Sequence, residues 1–271
     1  MADEREGDFS PMYARFTEDL LAQVRRETYG DDDIGQYSWT VKSELETICR
    51  ALGLDQDSRL LDVACGAGGP TRFAARTTRC TVVGVDNAEG GITTATRLAR
   101  EEGLQDRVTF QVADAGKRLP FADSSFDAIL CIDAIVLLSN RAGVLGDWAR
   151  LLRPGGRAAF TDPGLLTGVA TLDELSLRAG QTGGFAYSAP GHNERLVKEA
   201  GLRLIHVNDS TSPMERLAAA WHAARSRHQS DLEKVEGSED FVGGQRFFEN
   251  TARLATEQRQ SRFTYVAERP R

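Results

Sequence analysis

Arg59-Leu60-Leu61-Asp62-Val63-Ala64-Cys65-Gly66-Ala67-Gly68-Gly69-Pro70-Thr71 decides how the rest of the chain is read. Leu60 to Ala64 is a short apolar run with one acid, the pattern of a strand covered on both faces. It empties into Gly66-Ala67-Gly68-Gly69, and Pro70 stands where a helix begins, the position at which a missing N–H costs least. Strand, glycine turn and helix make the first unit of a doubly wound α/β sheet. Such sheets bind ligands beyond the carboxyl ends of their strands. Without a Cβ, the glycines let a ligand approach the backbone closely.

Two features separate this turn from a dinucleotide site. The last small residue of G-x-G-x-x-G would fall at position 71, which is Thr71. Asp62 also stands in the strand just before the turn, where its charge repels a pyrophosphate and suits a cation. The run Leu61 to Gly69 resembles motif I of the class I S-adenosylmethionine-dependent methyltransferases. Their cofactor carries a sulfonium, an ammonium and a carboxylate, and no phosphate. Further along, Leu119-Pro120-Phe121-Ala122-Asp123-Ser124-Ser125-Phe126-Asp127 and Leu151-Leu152-Arg153-Pro154-Gly155-Gly156 resemble the same family. The resemblance covers about positions 40 to 165. It implies a Rossmann-like, doubly wound, seven-stranded α/β sheet with an antiparallel last strand, elaborated by helical lid insertions.

The strands follow in order. Thr81 to Val85 ends at Asp86-Asn87, and Asp86 lies 18 positions past Gly68. That is close to the offset of about 20 at which an acid meets ribose hydroxyls, and a carboxylate accepts from both. Val108 to Val112 is followed by Asp114-Ala115, and the resemblance gives Asp114 the adenine amino group. Ala128 to Ile132 leads to Asp133, a candidate for the cofactor's ammonium, and Arg157 to Thr161 is the fifth strand. The expected cofactor site is therefore Asp62, Ala64, Gly66, Gly68, Asp86, Asn87, Asp114, Ala115 and Asp133, with Gln36 and Trp39 from a lid and no metal.

Composition bounds the partners. Of 271 residues, 41% are hydrophobic and 27% charged, an ordinary globular balance that favours one domain with elaborations. The net charge of −7 argues against a nucleic-acid surface, which needs a basic stripe. No apolar run approaches the ~20 residues of a membrane span, and no secretory signal opens the chain. Cys49, Cys65, Cys80 and Cys131 are widely spaced, as small buried hydrophobes in a reducing cytoplasm would be. The sequence leaves the oligomeric state open.

Outside the core, residues 1–53 read as N-terminal helices and a lid loop. The acidic first eight residues read as a frayed start, and Ser10-Pro11 as the opening of a helix. Phe9, Met12, Tyr13, Phe16, Leu20 and Val24 form its stripe. Ile34 to Thr40 is an aromatic, polar loop before a second helix, with Thr40 as its cap and Gly53 as its stop. It resembles a lid over the cofactor; packing of Tyr37 and Trp39 on the core is the other reading. Asp162-Pro163-Gly164 is expected to turn the chain off the sheet, into a helix around 165–179 and a glycine-rich stretch, Gly180 to Gly191. A helix from His192 to Ala200 and a sixth strand from Leu202 to Val207 follow. Asp209 to Ser261 is too long for a hairpin link and carries two amphipathic patterns, one around Met214–Ala224 and one around Phe241–Ala255. It is expected to cap a substrate pocket before a last strand at Arg262–Ala267.

Methyl transfer is an in-line displacement that needs alignment and exclusion of water, and a base only when the acceptor arrives protonated. Related enzymes often carry a His near position 137, where this chain has Leu137-Leu138. His192 is the nearest substitute as a catalytic base. His206, His222 and His228 read as structural or surface residues, and Tyr13 and Tyr187 are further candidates. The expectation is a methyltransferase for a small, apolar or amphipathic acceptor. A nicotinamide-dependent oxidoreductase and a non-catalytic S-adenosylmethionine-binding module are the alternatives.

Overall fold

The computed structural model describes residues 9–15, 17–182 and 185–271. The first eight residues, Phe16 and the Gly183-Gly184 part of the glycine-rich stretch lie outside the described residues. Helices α1 (Ser10–Arg15), α2 (Asp19–Tyr29) and α3 (Lys42–Leu52) precede the sheet. Then come β1 (Arg59–Val63), α4 (Gly69–Thr78), β2 (Thr81–Asp86), α5 (Glu89–Glu101), β3 (Val108–Val112), β4 (Phe126–Cys131), α6 (Arg141–Leu151) and β5 (Leu152–Leu166). Helices α7 (Leu172–Thr182) and α8 (His192–Glu199) lead to β6 (Arg203–Asp209). Helices α9 (Thr211–Arg227), α10 (Gln229–Glu236) and α11 (Ser238–Thr256) separate β6 from β7 (Gln260–Glu268).

Among the described residues the sheet has seven strands in the order β3-β2-β1-β4-β5-β7-β6. The first five run parallel, and β7 is antiparallel to both neighbours. The strand-order reversal lies between β1 and β4, where ligands of such sheets bind. Side chains alternate across β1, so adjacent leucines serve opposite faces. Leu61 packs with Ile129 and Phe160 in one core. Leu60 packs with Ala128, Leu130 and Ile48 in the other.

A third core stands apart from the sheet. Val24 and Tyr29 of α2, Trp39 and Val41 of the following loop, Met214, Leu217 and Trp221 of α9, and Phe247 and Phe248 of α11 bury one another. Trp221 stacks on Phe248 with centroids 5.5 Å apart, and Trp39 meets Phe247 at 6.0 Å. Helix α2, the loop after it and the insertion are thus one layer, while α3 packs on the sheet through Leu45, Ile48 and Leu52.

Three expectations need correction. The chain does not leave the sheet at Asp162-Pro163-Gly164. β5 runs on to Leu166, pairing Leu165 with Ser261 and Leu166 with Gln260 after a register shift. The irregularity absorbs Pro163, which has no N–H for the ladder, and the next helix begins only at Leu172. The insertion holds three helices, because Gly237, at φ +88, breaks the second half into α10 and α11. Thr40 does not cap α3: Val41 occupies that position, and the Thr40 hydroxyl accepts from Arg262.

Candidate functional site

The glycine turn follows β1 with left-handed backbone at Ala64 (φ +56), Gly66 (+54) and Gly68 (+73). Below it, Asp62 is buried and accepts from the Thr71 hydroxyl at 2.5 Å. This explains the departure from a dinucleotide pattern: residue 71 carries a donor for the strand acid instead of making room. Burial pushes the Asp62 carboxyl up to about 7, against the Thr71 bond, and the charge of Asp86 adds to the shift. At the end of β2, Asp86 accepts from Gly66 N and Ala88 N, each at 2.8 Å. Burial raises its carboxyl too, and those backbone bonds oppose the rise. Asn87 beside it is exposed. After β3, Asp114 accepts from Gly116 N at 2.8 Å and pairs with Lys117 at 2.9 Å, while Ala115 is buried. The sheet thus aligns the acids of three strand ends, and no Lys, Arg or His among the described residues pairs with Asp62 or Asp86.

Residues 33–41 form a strap beside this row. A Cβ on Gly69 would fall 2.5 Å from the Gly35 carbonyl carbon and 2.8 Å from Gln36 N, so the strap lies directly on the turn. Gln36 faces its own loop: its side-chain oxygen accepts from Ile34 N, and its amide donates to the Asp32 and Thr40 carbonyls. The Trp39 ring is buried in the third core, and its backbone N donates to Asp133 at 2.7 Å. Asp133, at φ +54, also accepts from Thr161 and from Arg262, each at 2.7 Å. Trp39 and Asp133 are thus bonded to each other, while Gln36 is bonded within its own loop. Tyr13 of α1 adds a contact that the helical stripe alone did not indicate. Its hydroxyl would lie 2.5 Å from a Cβ on Gly66.

On the other side of Asp133, a 3₁₀ turn spans Ile135–Leu137. Leu137 and Leu138 are partly buried apolar side chains there, and Phe185 and Phe263 pack, like them, on the same sheet core. Phe185 meets Tyr187 edge to face at 4.5 Å. Arg141 holds this loop from behind, donating to the Ala186 carbonyl and to Asp162 at 2.7 Å. His192 opens α8, half-buried, with its Nδ1 2.9 Å from the Arg195 guanidinium. Burial, then Arg141 and Arg195, hold its imidazole below its ordinary pKa.

Parallel strands ending in a glycine turn and a row of acids, with β7 inserted antiparallel, define the class I methyltransferase fold. The family model for the methyltransferase domain matches residues 60–156. Methyltransferase GfsG of Streptomyces halstedii is 35% identical over 171 residues, 60% of this chain and 59% of that protein. The 27-O-demethylrifamycin SV methyltransferase of Amycolatopsis mediterranei is 31% identical over 223 residues, covering 80% of each chain. The solved cyclopropane synthase MmaA2 of Mycobacterium tuberculosis shares the fold, with TM-score 0.82 at 17% identity over 98% of this chain and all of its own. The chain belongs to the S-adenosylmethionine-dependent methyltransferase family; it spans about three fifths of GfsG's length.

Proposed function

We propose that the protein transfers the methyl group of S-adenosylmethionine to a small, apolar or amphipathic acceptor. The observation that carries this reading is the pair of buried acids, Asp62 and Asp86, beside the turn, with no cation paired to either among the described residues. Buried charge needs a partner, and a cationic, phosphate-free cofactor fits that demand. In this reading Asp62 serves the cationic end, Asp86 and Asn87 the ribose, and Asp114 and Ala115 the adenine. Ala64, Gly66 and Gly68 let the cofactor approach the backbone. Gln36, Trp39 and Asp133 form the strap side of the site.

When bound, S-adenosylmethionine supplies the electrophilic methyl carbon. The chain's own contribution is alignment and dryness: the strap closes one side, and Leu137, Leu138, Phe185 and Phe263 offer an apolar wall to the acceptor. GfsG and the Amycolatopsis mediterranei relative are both named as methyltransferases, the latter for 27-O-demethylrifamycin SV. No helix among the described residues is long and apolar enough to cross a membrane. The four buried cysteines favour a reducing cytoplasm.

Calorimetry tests the cofactor. Micromolar binding of S-adenosylmethionine and S-adenosylhomocysteine is expected, with none of NAD. Asp86→Ala should weaken binding by roughly 1–3 kcal/mol. Binding of NAD alone overturns the reading. His192 as general base is the competing account of the chemistry, but Arg195 already claims its Nδ1 lone pair. A loss of about 10²–10⁴-fold in turnover on His192→Ala, with cofactor affinity intact, would make it the base. Positioning alone predicts about tenfold or less.

A further inference from the structure

Arg262, at the start of β7, is fully buried, and each guanidinium nitrogen has a partner. Its Nε donates to Asp133 Oδ1 at 2.7 Å, Nη1 to both oxygens of Glu44 at 2.8 and 3.0 Å, and Nη2 to Thr40 Oγ1 at 2.7 Å. The partners come from the end of β4, the first turn of α3 and the end of the strap. We propose that Arg262 is a positioning residue for the cofactor side of the site. By holding Asp133, Thr40 and Glu44 in one geometry, it fixes the strap at Trp39 and ties the strap and α3 to the end of β4. This rests on the cofactor reading above.

The chemistry of the cluster carries the inference. One cation stands between two carboxylates, so removing it leaves the buried Asp133 and the partly buried Glu44 without their shared counter-charge. Burial alone would lower the guanidinium pKa, but Asp133 and Glu44 outweigh it and keep the charge on. Asp133 divides its acceptors: Oδ1 takes Arg262 and Thr161, which leaves Oδ2 for Trp39 N. Without the cation only Thr161 Oγ1 still holds Oδ1, so the carboxylate loses its charged tether and the bond from the strap backbone to Oδ2 weakens with it. A lysine cannot reproduce the arrangement, because the planar fork reaches three groups at once and an ammonium is a point charge. Arg262 also lies where the chain re-enters the sheet after α11, the helix whose Phe247 and Phe248 cover the Trp39 ring. At Trp39 a polar attachment of the strap, its N–H on Asp133, coincides with an apolar one, its ring on Phe247 and Phe248, and Thr40 beside it is bonded to Arg262.

The test needs no acceptor. Amide hydrogen exchange is measured on wild type, Arg262→Gln, Arg262→Lys and Asp133→Asn, with S-adenosylhomocysteine affinity read by calorimetry. Expected in Arg262→Gln is exchange about 100-fold faster over residues 36–41, β1 and β4 amides within about threefold of wild type, and affinity weakened about tenfold. Arg262→Lys should be intermediate. Asp133→Asn retains the left-handed preference of this position and should release the same strap amides. That makes it the deciding variant if Arg262→Gln does not fold. Unchanged strap exchange in the folded variants, or acceleration of every amide in step, overturns the proposal. Failure of the wild type to bind S-adenosylhomocysteine overturns the cofactor reading instead, while the exchange pattern still decides the role of Arg262.

Discussion

Asp62 and Ala64 sit two residues apart and set opposite problems. The Asp62 carboxyl titrates at about 7 in the free protein because burial disfavours its charge. A cationic ligand favours the ionised form, so binding below pH 7 must expel a proton. Affinity for S-adenosylmethionine should therefore fall as pH drops from about 8 to 6, approaching tenfold per unit at the acid end. The sign for the free fold is opposite. A carboxyl raised above its unfolded value contributes stability below that value and loses it as pH rises through about 7. Calorimetry across this range checks the first statement, and affinity independent of pH would count against Asp62 as the cation's partner. Ala64 holds φ +56 with a Cβ in the way. Ala64→Gly should raise stability by about 0.5–1 kcal/mol, since the strain relieved exceeds the chain entropy added. An unchanged or lowered melting temperature would show that the turn has relaxed around the methyl group.

At the scale of elements, the strap and the cap stand or fall together. The Gly35 carbonyl and Gln36 N lie where a side chain on Gly69 would be. Gly69→Ala should therefore lift the strap at a cost of about 1–3 kcal/mol, by overpacking against backbone that cannot turn aside. Limited proteolysis should then cut within 33–41 faster than in wild type. Trp221 is buried and stacked on Phe248, with Tyr29 edge-on at 5.9 Å. Trp221→Ala should cost about 3–5 kcal/mol, felt in α2, α9 and α11 rather than in the sheet. Equal loss of exchange protection in β1 and β4 would mean that the third core is not a separable layer.

Across the whole molecule, ligand binding and folding are linked. S-adenosylhomocysteine at 100 times its dissociation constant should add about 2.7 kcal/mol of stability and raise the melting temperature by roughly 5 °C or more. The same excess of NAD should leave the melt unmoved. The sequence alone determined the alternation of strand and helix, the glycine turn and the acids at strand ends. Those signals are local: apolar runs, punctuating glycines, and offsets within one strand-turn-helix unit. It also marked the insertion, since Met214, Leu217, Ala218 and Trp221 repeat at helical spacing. Only the tertiary structure decided what the strap and Asp133 do. Gln36 turned inward because its amide found carbonyls in its own loop. Asp133 met Arg262 across 129 positions of chain. The continuation of β5 past Pro163 likewise depended on β7, a strand nearly a hundred residues away, being there to pair. Such contacts leave no periodicity or spacing to read, because they join residues whose separation along the chain carries no information about their distance in the fold.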